Sequence, residues 1–102
     1  MQTFTNEAEQ AAFTLAEALC EKAMSCMRSA EEASEAFRNG QTAMRRQFRA
    51  RGLSEVEADI RWSGSAQASR AIADNGFFMS QAAMFNTAAT AQYAKALYLR
   101  TR

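Results

Sequence analysis

Residues 45–57 read RRQFRARGLSEVE and contain the strongest helix break in this 102-residue chain. Basic side chains suit the end of a helix because they offset the negative end of its dipole. Gly52 follows them, and glycine readily adopts the left-handed backbone that ends many helices. Ser54, with Glu57 three residues later, matches a capping box, which begins a new helix. The stretch therefore predicts a turn near Gly52, close to the centre of the chain.

The composition favours helix on both sides of this turn. Alanine, the best helix former, accounts for 23 of the 102 residues, and proline, the worst, is absent. In the first half, apolar and small residues recur at alternating spacings of three and four, which predicts a heptad seam. The members of this seam are Phe13, Ala16, Cys20, Ala23, Met27, Ala30, Ser34, Phe37, Gln41, Met44 and Phe48.

We expect an all-α fold, either a long helical hairpin or a small helical bundle, forming a single helical domain over residues 1–102. The simplest form is two long helices of similar length that fold back at Gly52. Further breaks are open near Gly40, Gly64 and Gly76. The seam continues across Gly40, which favours an uninterrupted helix there.

The first helix is expected to begin with a second capping box. Asn6 is followed three residues later by Glu9, and Phe4 lies just before this pair. An apolar residue in that position often packs on the first turns of the helix. The sequence therefore predicts a capped start at Asn6, with Phe4 packed on the helix that follows.

Residues 77–99 carry apolar side chains on every face of a helix. A helix of this kind needs burial on all sides, whereas a single partner helix covers only one stripe. A two-helix hairpin would leave a large apolar patch, and such patches mark interfaces. The candidate protein interface consists of Trp62, Phe77, Phe78, Met84, Phe85, Tyr93 and Tyr98.

The chain offers few groups for catalysis. It has no histidine, which excludes Ser-His-Asp and Cys-His sites and most zinc sites. Its only cysteines, Cys20 and Cys26, are too few for a four-cysteine site, and no glycine-rich phosphate loop is present. We expect no enzyme activity, no catalytic residues, no cofactor and no metal.

An arginine cluster, Arg45, Arg46, Arg49 and Arg51, is the candidate site for phosphate or nucleic acid. Arginine suits phosphate because its guanidinium group donates two parallel hydrogen bonds. Two other interpretations are favoured over this one. The cluster is a solvated helix end, or it pairs with Glu55, Glu57 and Asp59 across the turn. The net charge of +1 also gives little support to nucleic-acid binding.

Trp62-Ser63-Gly64 resembles the Trp-x-Gly motif of the WXG family of early-secreted-antigen type proteins. The resemblance covers these three residues, the chain length and the helicity. It implies an antiparallel helical hairpin that pairs as a dimer for export. The motif comes ten residues after Gly52 instead of in the central turn, and no tyrosine is followed four residues later by an acid. No functional residue is carried over from the family.

The leading hypothesis for function is a structural or assembly subunit that packs its helices against copies of itself or partner proteins. A bacteriophage virion is one natural setting. The alternatives are a small protein-binding module or inhibitor, phage-encoded or of the WXG type, and a nucleic-acid-binding protein that uses the arginine cluster. No secretory signal and no membrane-spanning run is evident, so we expect a cytoplasmic or virion-associated protein without a membrane partner.

Overall fold

The computed structural model describes residues 4–101, which form three α-helices and no strand. Helix α1 spans Glu7–Ala50, α2 spans Glu55–Ser63 and α3 spans Ala66–Arg100. The long helices α1 and α3 pack against each other, so the expected all-α helical hairpin is confirmed.

The predicted turn forms at Gly52, whose φ of 77° lies in the left-handed region. Ser54 caps α2 as expected, because its side chain accepts a hydrogen bond of 3.2 Å from the backbone N–H of Glu57. Gly40 and Gly76 lie inside helices, whereas Gly64 lies in a break.

The expectation of two long helices of similar length is wrong in one respect, since the nine-residue α2 lies between them. The cause is Ser65, which caps α3 by accepting a hydrogen bond of 3.1 Å from the backbone N–H of Ala68. The Ser65 hydroxyl also donates to the carbonyl of Trp62 at 2.7 Å. One serine therefore ends α2 and begins α3.

The start of α1 is capped, as predicted. Asn6 accepts a hydrogen bond of 2.7 Å from the backbone N–H of Glu9. The Glu9 carboxylate returns to Thr5, not to Asn6, and accepts from both the backbone N–H and the hydroxyl of Thr5. Phe4 packs on Phe13 with ring centroids 5.4 Å apart, which confirms the expected apolar contact.

The chain divides into two compact units. The first combines Met1–Met27 with Ser80–Arg102, and the second is Arg28–Met79. Among the described residues of the first unit, those that are apolar and buried are all alanines: Ala12, Ala16, Ala23, Ala82, Ala89 and Ala96. In the second unit they are Ala30, Ala58, Trp62, Ala68 and Ala71. The predicted seam on α1 is buried or half-buried at every position except Met27, which is 51% exposed.

Trp62 is the one large apolar side chain that is buried in the described part of the second unit, and Gly40 makes room for it. A Cβ atom at position 40 would lie 2.1 Å from the indole ring. Phe37 contacts the same ring edge-on, with centroids 5.6 Å apart. Gly40 therefore permits a close approach between α1 and the end of α2, because it has no side chain.

Glu9 links the two ends of the first unit. It is only 1% exposed, and its Oε1 accepts a hydrogen bond of 2.7 Å from Nε of Arg100. The hydrogen bonds from Thr5 are the main cause that lowers the pKa of Glu9 below its ordinary value of 4.5, and Arg100 adds to the effect. Every oxygen of this buried carboxylate therefore has a donor, as burial of a charge requires.

This arrangement predicts a pH dependence of stability. Because the folded pKa of Glu9 is lowered, its contribution is present above the unfolded value of 4.5 and is lost as pH falls through the folded pKa. We expect Glu9→Gln to have a lower melting temperature than wild type at about pH 7, and the gap to close towards about pH 3. Thermal unfolding followed by circular dichroism measures the melting temperatures of the two proteins at each pH.

Glu21→Gln is the matched control, because Glu21 is exposed on the same helix. Its melting temperature should follow that of wild type at each pH. A gap for Glu9→Gln that stays constant between these pH values would contradict the role assigned to its charge.

Candidate protein interface

Trp62 does not belong to the candidate interface, and this part of the prediction is corrected. The side chain is 4% exposed and packs within its own chain against Gly40 and Phe37. An aromatic residue beside a turn suggests an exposed edge, but the missing side chain at position 40 opens a site in which the ring is buried.

Two other predicted residues, Phe78 and Phe85, are half-buried. The ammonium group of Lys22 lies 5.7 Å from the centre of the Phe85 ring, within cation–π range. Both phenylalanines therefore form the margin of the helix packing in their own units and offer only part of their surface to another chain.

Tyr93 lies at the edge of the first unit, where it is 37% exposed. Its ring meets Phe13 edge-on with centroids 5.4 Å apart, and its hydroxyl accepts a hydrogen bond of 3.8 Å from the Cys20 thiol. The neighbouring Cys20, partial burial and the negative charge of Glu17 all disfavour the phenolate, so they raise the pKa of Tyr93 above its ordinary value of 10.0. Cys20 and Cys26 are both free thiols in this structure.

Phe77, Met84 and Tyr98 are the members of the predicted interface that remain well exposed. Their exposed fractions are 59%, 63% and 57%. Phe77 belongs to the second unit, where its ring contacts Phe78 with centroids 5.3 Å apart. Met84 and Tyr98 belong to the first unit.

In the first unit, the outward surface of α3 bears one exposed charged side chain between Ser80 and Leu99, that of Lys95. The buried alanines Ala82, Ala89 and Ala96 mark the side that meets α1. Helical periodicity places a set of exposed residues on the opposite side. We call this set the uncharged face; it consists of Ala83, Met84, Thr87, Thr90, Ala91, Ala94, Leu97 and Tyr98.

The outward side of α1 in the same unit differs in charge. It carries the exposed carboxylates of Glu7, Glu17 and Glu21, as a solvated helix face usually does. Between Ser80 and Leu99, in contrast, the only charged residue of α3 is Lys95. The outward sides of the two helices in this unit therefore differ in charge.

A shallow groove runs along the uncharged face. It is lined by Ala83, Met84, Thr87, Ala88 and Ala91. Four of these residues have the spacing i, i+3, i+4 and i+7, which is the arrangement that receives a side chain from a partner helix in knobs-into-holes packing. The groove can therefore bind an apolar side chain of another helix.

The arginine cluster is partly neutralised. Arg45 donates two hydrogen bonds of 2.8 Å to the carboxylate of Asp59, and Arg49 donates one of 3.1 Å to Glu55. The hydrogen bond from Arg45 is the main cause that lowers the pKa of Asp59 below 3.8. The expected pairing across the turn is thus observed for two of the four arginines. Arg46 has no acidic partner within residues 4–101.

The sequence prediction includes two members of the uncharged face, Met84 and Tyr98, and misses the other six: Ala83, Thr87, Thr90, Ala91, Ala94 and Leu97. The predicted set contains only aromatic and sulfur-containing side chains, whereas the missed residues are alanine, threonine and leucine. The signal that identifies them is the absence of charge along α3, which becomes informative only once the inward side of the helix is known.

No helix within the described residues is both long and apolar enough to cross a membrane. Comparison of the chain with protein families, with curated proteins and with solved structures found no match.

Proposed function

We propose that this chain is a non-enzymatic assembly subunit that acts by helix–helix packing through the uncharged face of α3, with copies of itself or with partner proteins. The observation that carries the proposal is that the buried apolar side chains are mostly small, whereas larger apolar side chains are exposed. Of the eleven apolar residues buried within residues 4–101, ten are alanines and one is Trp62.

This division has an energetic consequence. The free energy gained from apolar burial grows with the area removed from water, at about 25 cal/mol per Å². Alanine contributes little of this area, whereas larger side chains on the uncharged face, Met84, Leu97 and Tyr98, remain 63%, 62% and 57% exposed. The hairpin therefore leaves much of its apolar area available, and association with other helices would bury it.

The assembly role predicts a discrete oligomer in solution. We expect light scattering coupled to size exclusion to give a mass that is a multiple of 11.3 kDa. The mass should not change between about 0.05 M and about 1 M salt, because apolar contacts are not screened by ions. Ala91→Glu should reduce the mass to that of a monomer, since it places an unpaired charge in the contact.

Ala18→Glu is the matched control, because Ala18 is exposed on the acidic side of α1 in the same unit. It should leave the mass unchanged. A wild-type monomer at every concentration would overturn assembly with copies of itself and would favour the alternative of a small protein-binding module.

The nucleic-acid alternative has less support. Arg45 and Arg49 are engaged with Asp59 and Glu55, so phosphate would have to compete with carboxylates already in place.

A virion is one setting for a subunit of the proposed kind, and the light-scattering experiment applies to the chain in any setting.

A further inference from the structure

We infer that the partner on the uncharged face is a second copy of this chain, docked antiparallel about a two-fold axis near Thr87. This inference rests on the proposed function and adds the partner, the symmetry and the contacting residues. Three observations support it: the total exposed surface, the charge of the face and the shape of the groove.

The exposed surface is larger than a monomer of this mass usually has. The chain exposes 7408 Å². A folded monomeric protein of 11.3 kDa is expected to expose about 5700 Å², which leaves an excess of about 1700 Å². A standard interface buries about 800 Å² on each partner, and obligate homodimers bury more. The excess is therefore sufficient for one extensive contact with a second copy.

The charge of the face favours a contact with itself. In a two-fold dimer the same patch meets its own copy, so each charge near the axis faces an identical charge. The acidic side of α1, with Glu17 and Glu21, would be repelled in such a contact. The uncharged face of α3 has no charged member, so two copies can meet through it without repulsion between like charges.

The groove supplies both parts of a knobs-into-holes contact. Met84 is 63% exposed at one end, and Thr87, Ala88 and Ala91 follow it along the helix. When a second α3 lies antiparallel with the axis near Thr87, each Met84 meets the small residues of the other copy. The protruding side chain and the site that receives it therefore come from the same short segment.

The position of the axis is tested by disulfide cross-linking. In a Cys20→Ser, Cys26→Ser background, Thr87→Cys brings the two new thiols close together across the axis, as a disulfide requires. Thr14→Cys is the matched control, because Thr14 is an exposed threonine on the outward side of α1 in the same unit. After oxidation with diamide, we expect non-reducing gel electrophoresis to show a covalent dimer for Thr87→Cys only. Equal yields at the two positions would overturn the inference.

The role of Met84 is tested by truncation. Met84→Ala removes the protruding side chain while keeping a good helix former, so the fold is retained. We expect its dimer dissociation constant, measured by analytical ultracentrifugation, to rise about ten-fold or more. Met24→Ala, at a residue 57% exposed on α1, should leave the constant unchanged. The same constant for wild type and Met84→Ala would overturn the proposed contact.

Failure of this inference is distinguishable from failure of the proposed function. An oligomeric mass by light scattering with no Thr87→Cys cross-link would overturn the two-fold contact and retain the assembly role. A monomeric mass would overturn both the two-fold contact and assembly with copies of itself.

Discussion

Trp62→Ala is expected to lower the free energy of unfolding by about 3 kcal/mol, at the lower end of the range for truncating a buried aromatic side chain. Trp62 is 4% exposed, so the change leaves a cavity between α2 and α1. The lower end applies because Nε1 of Trp62 is buried with no hydrogen-bond partner among the described residues, which offsets part of the packing energy. Urea unfolding followed by circular dichroism at 222 nm measures the loss.

Phe77→Ala is the control for this prediction. Phe77 is 59% exposed, so its removal should cost less than about 1 kcal/mol in the same experiment. A loss below about 1 kcal/mol for Trp62→Ala as well would show that the indole ring is not a core element and would return Trp62 to the candidate interface.

Gly40→Ala is the second prediction, and we expect it to lower the free energy of unfolding by about 2 kcal/mol. The new Cβ would lie 2.1, 2.5 and 2.7 Å from three carbons of the Trp62 ring, which is rigid and buried. Overpacking of this kind costs up to about 3 kcal/mol, and the better helix propensity of alanine returns about 1 kcal/mol. Urea unfolding again provides the measurement.

Gly76→Ala is the matched control, because nothing lies within 4 Å of its added Cβ and the position is also inside a long helix. The same substitution should therefore raise the free energy of unfolding by about 1 kcal/mol. In a Trp62→Ala background, Gly40→Ala should also become stabilising, since the ring that it meets is gone. Stabilisation by Gly40→Ala with Trp62 present would contradict the close approach.

Local features of the fold could be predicted because they depend on neighbouring residues. The turn at Gly52 requires a left-handed backbone, and the caps at Asn6 and Ser54 require a side-chain oxygen next to free N–H groups. The heptad seam on α1 was visible for a related reason, since helical periodicity alone decides which residues share a face. The sequence does not decide the break near Gly64, because Ser63-Gly64-Ser65 is compatible with either a kink or a break in the helix.

The candidate site was less accessible to prediction. Of the predicted interface residues, Phe77, Met84 and Tyr98 are well exposed, as an interface requires, whereas Trp62 is buried. Hydrophobicity indicates which side chains prefer burial, but it does not indicate which of them can be buried within the chain itself. That depends on the space opposite each residue, and for Trp62 the space is created by a glycine 22 positions earlier in the chain.

By itself the sequence determined the helices, the turn near Gly52 and the alanine-lined seam, since propensity, capping and periodicity act over a few residues. Only the tertiary structure decided that Glu9 meets Arg100, that Gly40 leaves space for Trp62, and that the uncharged face of α3 in the first unit points away from α1. The physical reason is that burial depends on contacts between residues distant in the chain. These contacts exist only after α1 and α3 have packed in one register.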